Sequence, residues 1–170
     1  MNRKLLHNLR VCCILFILLF VVCQGSAQTP SGSLLSRLVG KWVMTGNVRN
    51  KPVQYTADGV WGLQQQFVSF HMRDTASPPK YEAFLFIGLD SSKKQYVAHW
   101  LDVTGGAGAR VVGMGPLSSD KIEIIYPYEE GRFRNLFKYD YIKEEWSFVI
   151  ESEGKDGKWS NFAKYIVDKQ

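Results

Sequence analysis

The stretch "FLFIGLDSSKKQYVAHWLD", Phe84 to Asp102, holds two apolar runs separated by Asp90, Ser91, Ser92, Lys93 and Lys94. Branched and aromatic residues fill both runs, and the polar block between them is turn chemistry, so the stretch reads as strand, turn, strand. A connection this short makes the two strands antiparallel neighbours. Both runs are apolar on both faces, which a strand with one side in water does not need. The outer face of this hairpin is therefore expected to be covered, by a short helix at Ser33–Leu38 or by a second copy of the chain.

The same punctuation recurs on either side. Candidate strands fall at 41–48, 53–58, 60–63, 66–73, 81–89, 95–103, 109–115, 121–128, 132–140, 145–152 and 159–167, with turn signals such as "DTASPP" from Asp74 and "GKDG" before Lys158. No second helix is long enough for a parallel crossover, and no repeat is present. About ten short antiparallel strands must hide their edges, and closing the sheet on itself does so most simply. The expected fold is all-β, an antiparallel up-and-down barrel with a short N-terminal helix; a β-sandwich is the alternative. Alternation supports it: Phe133, Asn135, Phe137 and Tyr139 face away from Arg132, Arg134 and Lys138.

Residues 1–27 read as an export signal. Arg3, Lys4 and Arg10 precede the apolar run Val11–Val22, and Gly25, Ser26 and Ala27 supply small residues for cleavage. A tether, 28–33, and one domain, 34–168, follow. Cys23 raises lipidation as an alternative, but Phe20, Val21 and Val22 before it are bulky. All three cysteines lie in this leader, so the remainder has no disulfide and no thiolate chemistry. The leader also carries three of the 21 basic residues and none of the 16 acidic ones, which leaves a charge of +2. No basic cluster remains to suggest nucleic acid or an anionic membrane. A periplasmic or secreted destination is the expectation.

"LVGKW", Leu38 to Trp42, resembles the glycine-x-tryptophan opening of lipocalins and fatty-acid-binding proteins, whose tryptophan packs at the closed end of the barrel. Gly88 with Asp90, Trp100 with Asp102, and Asp156, Gly157 and Trp159 are similar to motifs of a bacterial, largely exported family of unknown function with lipocalin-like folds. The resemblance spans roughly residues 34 to 168. It implies a barrel with a central cavity and assigns no activity. The chain departs from fatty-acid-binding proteins, which hold a carboxylate with an arginine and a tyrosine two apart, because here Lys164 adjoins Tyr165. It also lacks the late histidine of haem-binding relatives, since none follows His99.

Beyond the leader only His71 and His99 remain, too few for a zinc site without carboxylate help, and no metal is expected. "GGAGA" lacks the strand–loop–helix setting of a phosphate cradle, so it reads as a hinge or a rim loop and no cofactor is expected. The aromatic supply is the main functional hint: Trp61, Trp100 and Tyr126 are candidates to line a cavity for an apolar ligand. Arg110, on the face of Val112 and Met114, is the candidate for a buried guanidinium that could fork onto a carboxylate. In a strand His99 and Asp102 point to opposite faces, so they form no dyad, whereas Trp100 and Asp102 share one. His99 belongs to the face of Val97 and Leu101 and is a further ligand candidate.

These observations favour a binding barrel for a small hydrophobic or amphipathic molecule. Two other readings stay open: an enzyme of hydrolase or cyclase type using His99 or His71 with Arg110, and a structural or self-associating envelope protein.

Overall fold

Inward-facing apolar residues alternating with polar ones build ten strands, in a computed structural model that describes residues 33–170. The predicted leader, and the tether up to residue 32, lie outside the described residues. The strands are β1 (Gly40–Val48), β2 (Lys51–Gly62), β3 (Phe67–Asp74), β4 (Glu82–Asp90), β5 (Gln95–Asp102), β6 (Val112–Pro116), β7 (Lys121–Tyr126), β8 (Phe133–Asp140), β9 (Glu145–Glu153) and β10 (Trp159–Lys169). Each pairs antiparallel with its sequence neighbour, and β1 pairs with β10 to close the barrel. Full closure leaves no free edge, the requirement that led to the barrel from sequence. The predicted strands 53–58 and 60–63 are one continuous strand, β2, because Gly59 pairs in register with both Gly40 and Phe70.

The predicted helix is a single 3-10 segment, Leu34–Leu38, with Leu34, Leu35 and Leu38 buried. It does not cover the outer face of the β4–β5 hairpin. Instead it seats at one end of the barrel, where the Trp42 indole donates to Leu38 O at 2.9 Å and the Trp146 indole to Arg37 O at 3.2 Å. Gly59 permits this seating, since a Cβ there would lie 1.8 Å from the Leu38 carbonyl oxygen. Above the segment the barrel is solid. Phe137 stacks on Phe148 at 3.8 Å and meets Phe70 and Trp146 edge-on near 6 Å.

Outside, the β3–β6 face is apolar and open. His71 stacks on Phe84 at 3.9 Å, and Phe84 stacks on Phe86. Phe84, Val112 and Met114 are 37%, 45% and 50% exposed.

Candidate functional site

The turns alternate between the two ends of an up-and-down barrel. Those joining β1–β2, β3–β4, β5–β6, β7–β8 and β9–β10 gather at the end opposite the Leu34–Leu38 segment. Here the interior is not filled. A cavity of about 670 Å³ opens between these turns, within the size range of small-molecule sites.

Rings make most of the wall: Tyr55, Tyr81, Trp100, Tyr126, Phe133 and Tyr165. Buried Met72, Asn135 and Ile150 lie deeper, next to the solid half. Strand alternation puts them there. On β8 the inward row is Phe133, Asn135 and Phe137, so one strand serves both the cavity and the packed core. Tyr126 fits flat because its neighbour on β6 is Gly113, where a Cβ would lie 2.6 Å from the tyrosine ring.

One set of polar groups in this cavity is organised around Asp102. The Tyr81 hydroxyl (3.1 Å) and the Trp100 indole (3.2 Å) donate to its Oδ2. The Thr104 backbone N–H (2.9 Å) and hydroxyl (2.5 Å) donate to Oδ1. Burial pushes the Asp102 carboxyl up. The hydrogen bonds from Thr104, Trp100 and Tyr81 together outweigh burial and hold it below the usual carboxylate range. Burial, then the Asp102 charge, raise Tyr81, so its hydroxyl remains a donor. Burial also raises Tyr165 and Tyr126. Asn135 partly opposes the rise at Tyr126, yet neither the Tyr126 hydroxyl nor the Asn135 amide nitrogen has a well-formed hydrogen bond.

At the rim, Arg49 takes the left-handed conformation (φ 47) beside Asn50 (φ 62), the pattern of a tight hairpin turn. Its guanidinium lies 4.9 Å from the Phe162 ring centroid. Across the mouth the second 3-10 segment, Gly105–Arg110, is tied down by the Tyr128 hydroxyl donating to Gly108 O at 3.2 Å. This is the "GGAGA" stretch; it sits at the rim and is itself a short 3-10 helix of about two turns rather than plain loop.

Of the six candidates read from sequence, the structure brings Trp100, Asp102 and Tyr126 together on the cavity wall. The other three lie elsewhere. Trp61 packs against the core near the closed end of β2. His99 faces outward, with Nε2 2.5 Å from Ala109 O, and ties the second 3-10 segment to the wall. Arg110 is exposed at the end of that segment; the chain is not yet a strand there, so facing-residue logic misplaced it. His71 is also outside, 2.5 Å from Glu82 Oε1. No histidine among the described residues lines the cavity, and no group of three His, Cys, Asp or Glu forms a metal cluster among them. Sequence reasoning missed Tyr55, Tyr81 and Tyr165 as wall residues, and Asn135 as the polar member of an apolar inward row. That last signal was present in the alternation of β8.

No family model matches the chain, and no curated protein matches its sequence. Among solved structures, that of Rv2717c from M. tuberculosis is similar, with a TM-score of 0.56 and 13% identity over 80% of this chain and 94% of that chain. At that identity the likeness concerns the fold alone.

Proposed function

We propose that this chain is an exported, lipocalin-like binding barrel whose open end holds a small hydrophobic or amphipathic molecule. The observation that carries this reading is the ring-walled cavity of about 670 Å³ with its single organised polar cluster. Binding sites of this kind are concave, mostly apolar and given a few placed polar groups for orientation. The enzyme reading loses support, because His71 and His99 lie on the outer face and Arg110 is exposed. Export rests on the basic start, the apolar run and the small residues of 1–27. Native mass spectrometry of protein isolated from its own host tests both halves. The expected spectrum has a mature N-terminus near Gln28 and a co-purified small molecule. An unprocessed chain contradicts export, and a ligand-free chain that also refuses apolar probes contradicts binding.

A second reading has its own observation. The exposed Phe84, Val112 and Met114 favour self-association through the β3–β6 face, as large apolar patches often mark interfaces. Sedimentation velocity tests it. A dimer that Phe84→Lys converts to monomer supports the reading, and a wild-type monomer at high concentration contradicts it.

A further inference from the structure

We propose that the cavity selects organic cations, and that its ligand class is an alkylammonium amphipath, quaternary rather than primary. The proposal rests on the binding reading above and adds the charge and headgroup of what is bound.

Charge supplies the first argument. The cavity residues with formal charge are Arg49, Asp102, Glu130 and Glu153. Glu153 is engaged outside the cavity by Arg132, whose Nε lies 2.6 Å from Oε2. Arg49, the one cation of the set, is at the rim over Phe162. Among the described residues no ion pair involves Asp102 or Glu130. With Glu153 neutralised by Arg132, Asp102 and Glu130 against Arg49 leave one excess negative charge, and Asp102 is the charged group held on the wall while Arg49 and Glu130 stand at the rim. The Asp102 field reaches across the site, since it raises both Tyr81 and Tyr128, second in each case to burial. A carboxylate ligand would meet this field, with Arg49 at the rim as its one cationic neighbour among the lining residues.

Hydrogen-bond capacity supplies the second. A carboxylate has about four lone-pair sites. Asp102 already receives four donors, from Tyr81, Trp100 and twice from Thr104. It offers charge without free acceptor positions. A primary ammonium entering the cavity needs acceptors for three N–H groups and finds none on Asp102. A quaternary ammonium has no N–H to satisfy and loses nothing by this.

Ring chemistry supplies the third. Trp100 and Tyr81, which hold Asp102, Tyr128 in the β7–β8 connection and Phe133 on β8 all line the same space. Aromatic faces attract cations, and quaternary ammonium groups are bound by such cages. The Arg49 guanidinium on Phe162 is a cation already placed on a ring of this wall. The apolar remainder of the cavity is suited to an alkyl tail.

Calorimetric titration at neutral pH with four probes sharing an eight-carbon tail tests the proposal: octyltrimethylammonium, octylammonium, octanol and octanoate. The expected order is octyltrimethylammonium tightest, by about tenfold over octanol, with octanoate weakest. In Asp102→Asn the ratio of octyltrimethylammonium to octanol affinity falls toward one. In Glu130→Gln, an exposed rim substitution that keeps the test alive should the first variant misfold, it falls by less. Octanol binding as well as octyltrimethylammonium, or octanoate binding tightest, overturns cation selection and leaves the binding reading standing. A ratio unmoved in both variants also overturns it. Octylammonium matching octyltrimethylammonium overturns the quaternary preference. Failure of all four probes to bind sinks the binding reading itself.

Discussion

Phe137 and Phe133 stand four residues apart on the same face of β8, yet one is locked in a solid core and the other borders empty space. The two ends of the barrel use similar residues, so the difference does not come from a shortage of bulk. At the closed end rings pack on each other across the interior, as Phe70 of β3 meets Phe137 of β8, and the Leu34–Leu38 segment plugs what remains. At the open end rings meet their neighbours around the wall, as Tyr55 meets Tyr81 and Phe133 meets Phe162, and several are also held by other partners there. Trp100 and Tyr81 are bonded to Asp102, Tyr126 lies over Gly113, and Phe162 lies under Arg49. A cavity in a small barrel thus arises from where rings are tethered, and the polar cluster that tethers them also sets its charge.

Truncation should separate the two ends most sharply. Phe137→Ala removes a fully buried ring from the stack and is expected to cost about 3–5 kcal/mol, read from denaturant unfolding. Phe162→Ala at the open end is expected to cost about 1–2 kcal/mol, because its ring is only half-buried. Equal losses would erase the distinction between a packed and an open half.

Glycine replacements probe the same contrast at two contacts. Gly59→Ala drives a methyl into the Leu38 carbonyl, a backbone atom that cannot turn aside, and should destabilise by about 1–3 kcal/mol. Gly113→Ala meets the Ile124 methyl and the Tyr126 ring, and the ring borders open space into which it can shift. Its stability loss should be the smaller of the two, with the displaced ring entering the cavity and weakening probe binding. The reverse order of losses would show that the Leu34–Leu38 plug does not depend on close approach at Gly59.

Acid and alkaline limbs of stability report the open end's titrating groups. Asp102 is lowered in the folded state, so its contribution is present above the unfolded value of about 4 and is lost as pH falls below it. Asp102→Asn should flatten that acid limb. Tyr81, Tyr126 and Tyr165 are raised, and at the closed end burial pushes Tyr96 up to about 12. Their contribution is complete below the unfolded tyrosine value of about 10 and declines as pH rises through the folded values. Ultraviolet titration should show these tyrosines ionising only as the barrel unfolds; ionisation near pH 10 in folded protein would contradict their burial.

The smallest effect is expected at Asn135, buried at 3% exposure with its amide nitrogen unpaired. Replacing an unsatisfied buried polar group by an apolar one of similar shape is nearly neutral, so Asn135→Leu should change stability by less than about 1 kcal/mol in either direction. A large loss would mean the amide is satisfied in solution.

The barrel was legible in the sequence because closure follows from local signals: alternation within strands, turn chemistry between them and no long helix. The site was legible in part. Trp100 and Asp102 were paired by two-residue spacing within β5, which is local information. Arg110 was misread because facing logic holds only inside a strand, and the chain there is a 3-10 turn. Tyr55, Tyr81 and Tyr165 come from three separate strands or strand ends, and only the closed register places their rings around one space. The outer apolar face was anticipated from the two-faced hairpin, but the segment expected to cover it serves the barrel's end instead.

The central claim is that the open half is a binding site rather than an incidental gap. Fluorescence titration with the neutral apolar dye Nile red, on the wild type and on Ser152→Phe, tests it directly. Ser152 lines the cavity, so the new ring should fill it. The account predicts one saturable site per chain in the wild type and its loss in the variant, with both proteins melting cooperatively. Binding that never saturates, or that survives unchanged in Ser152→Phe, would contradict it.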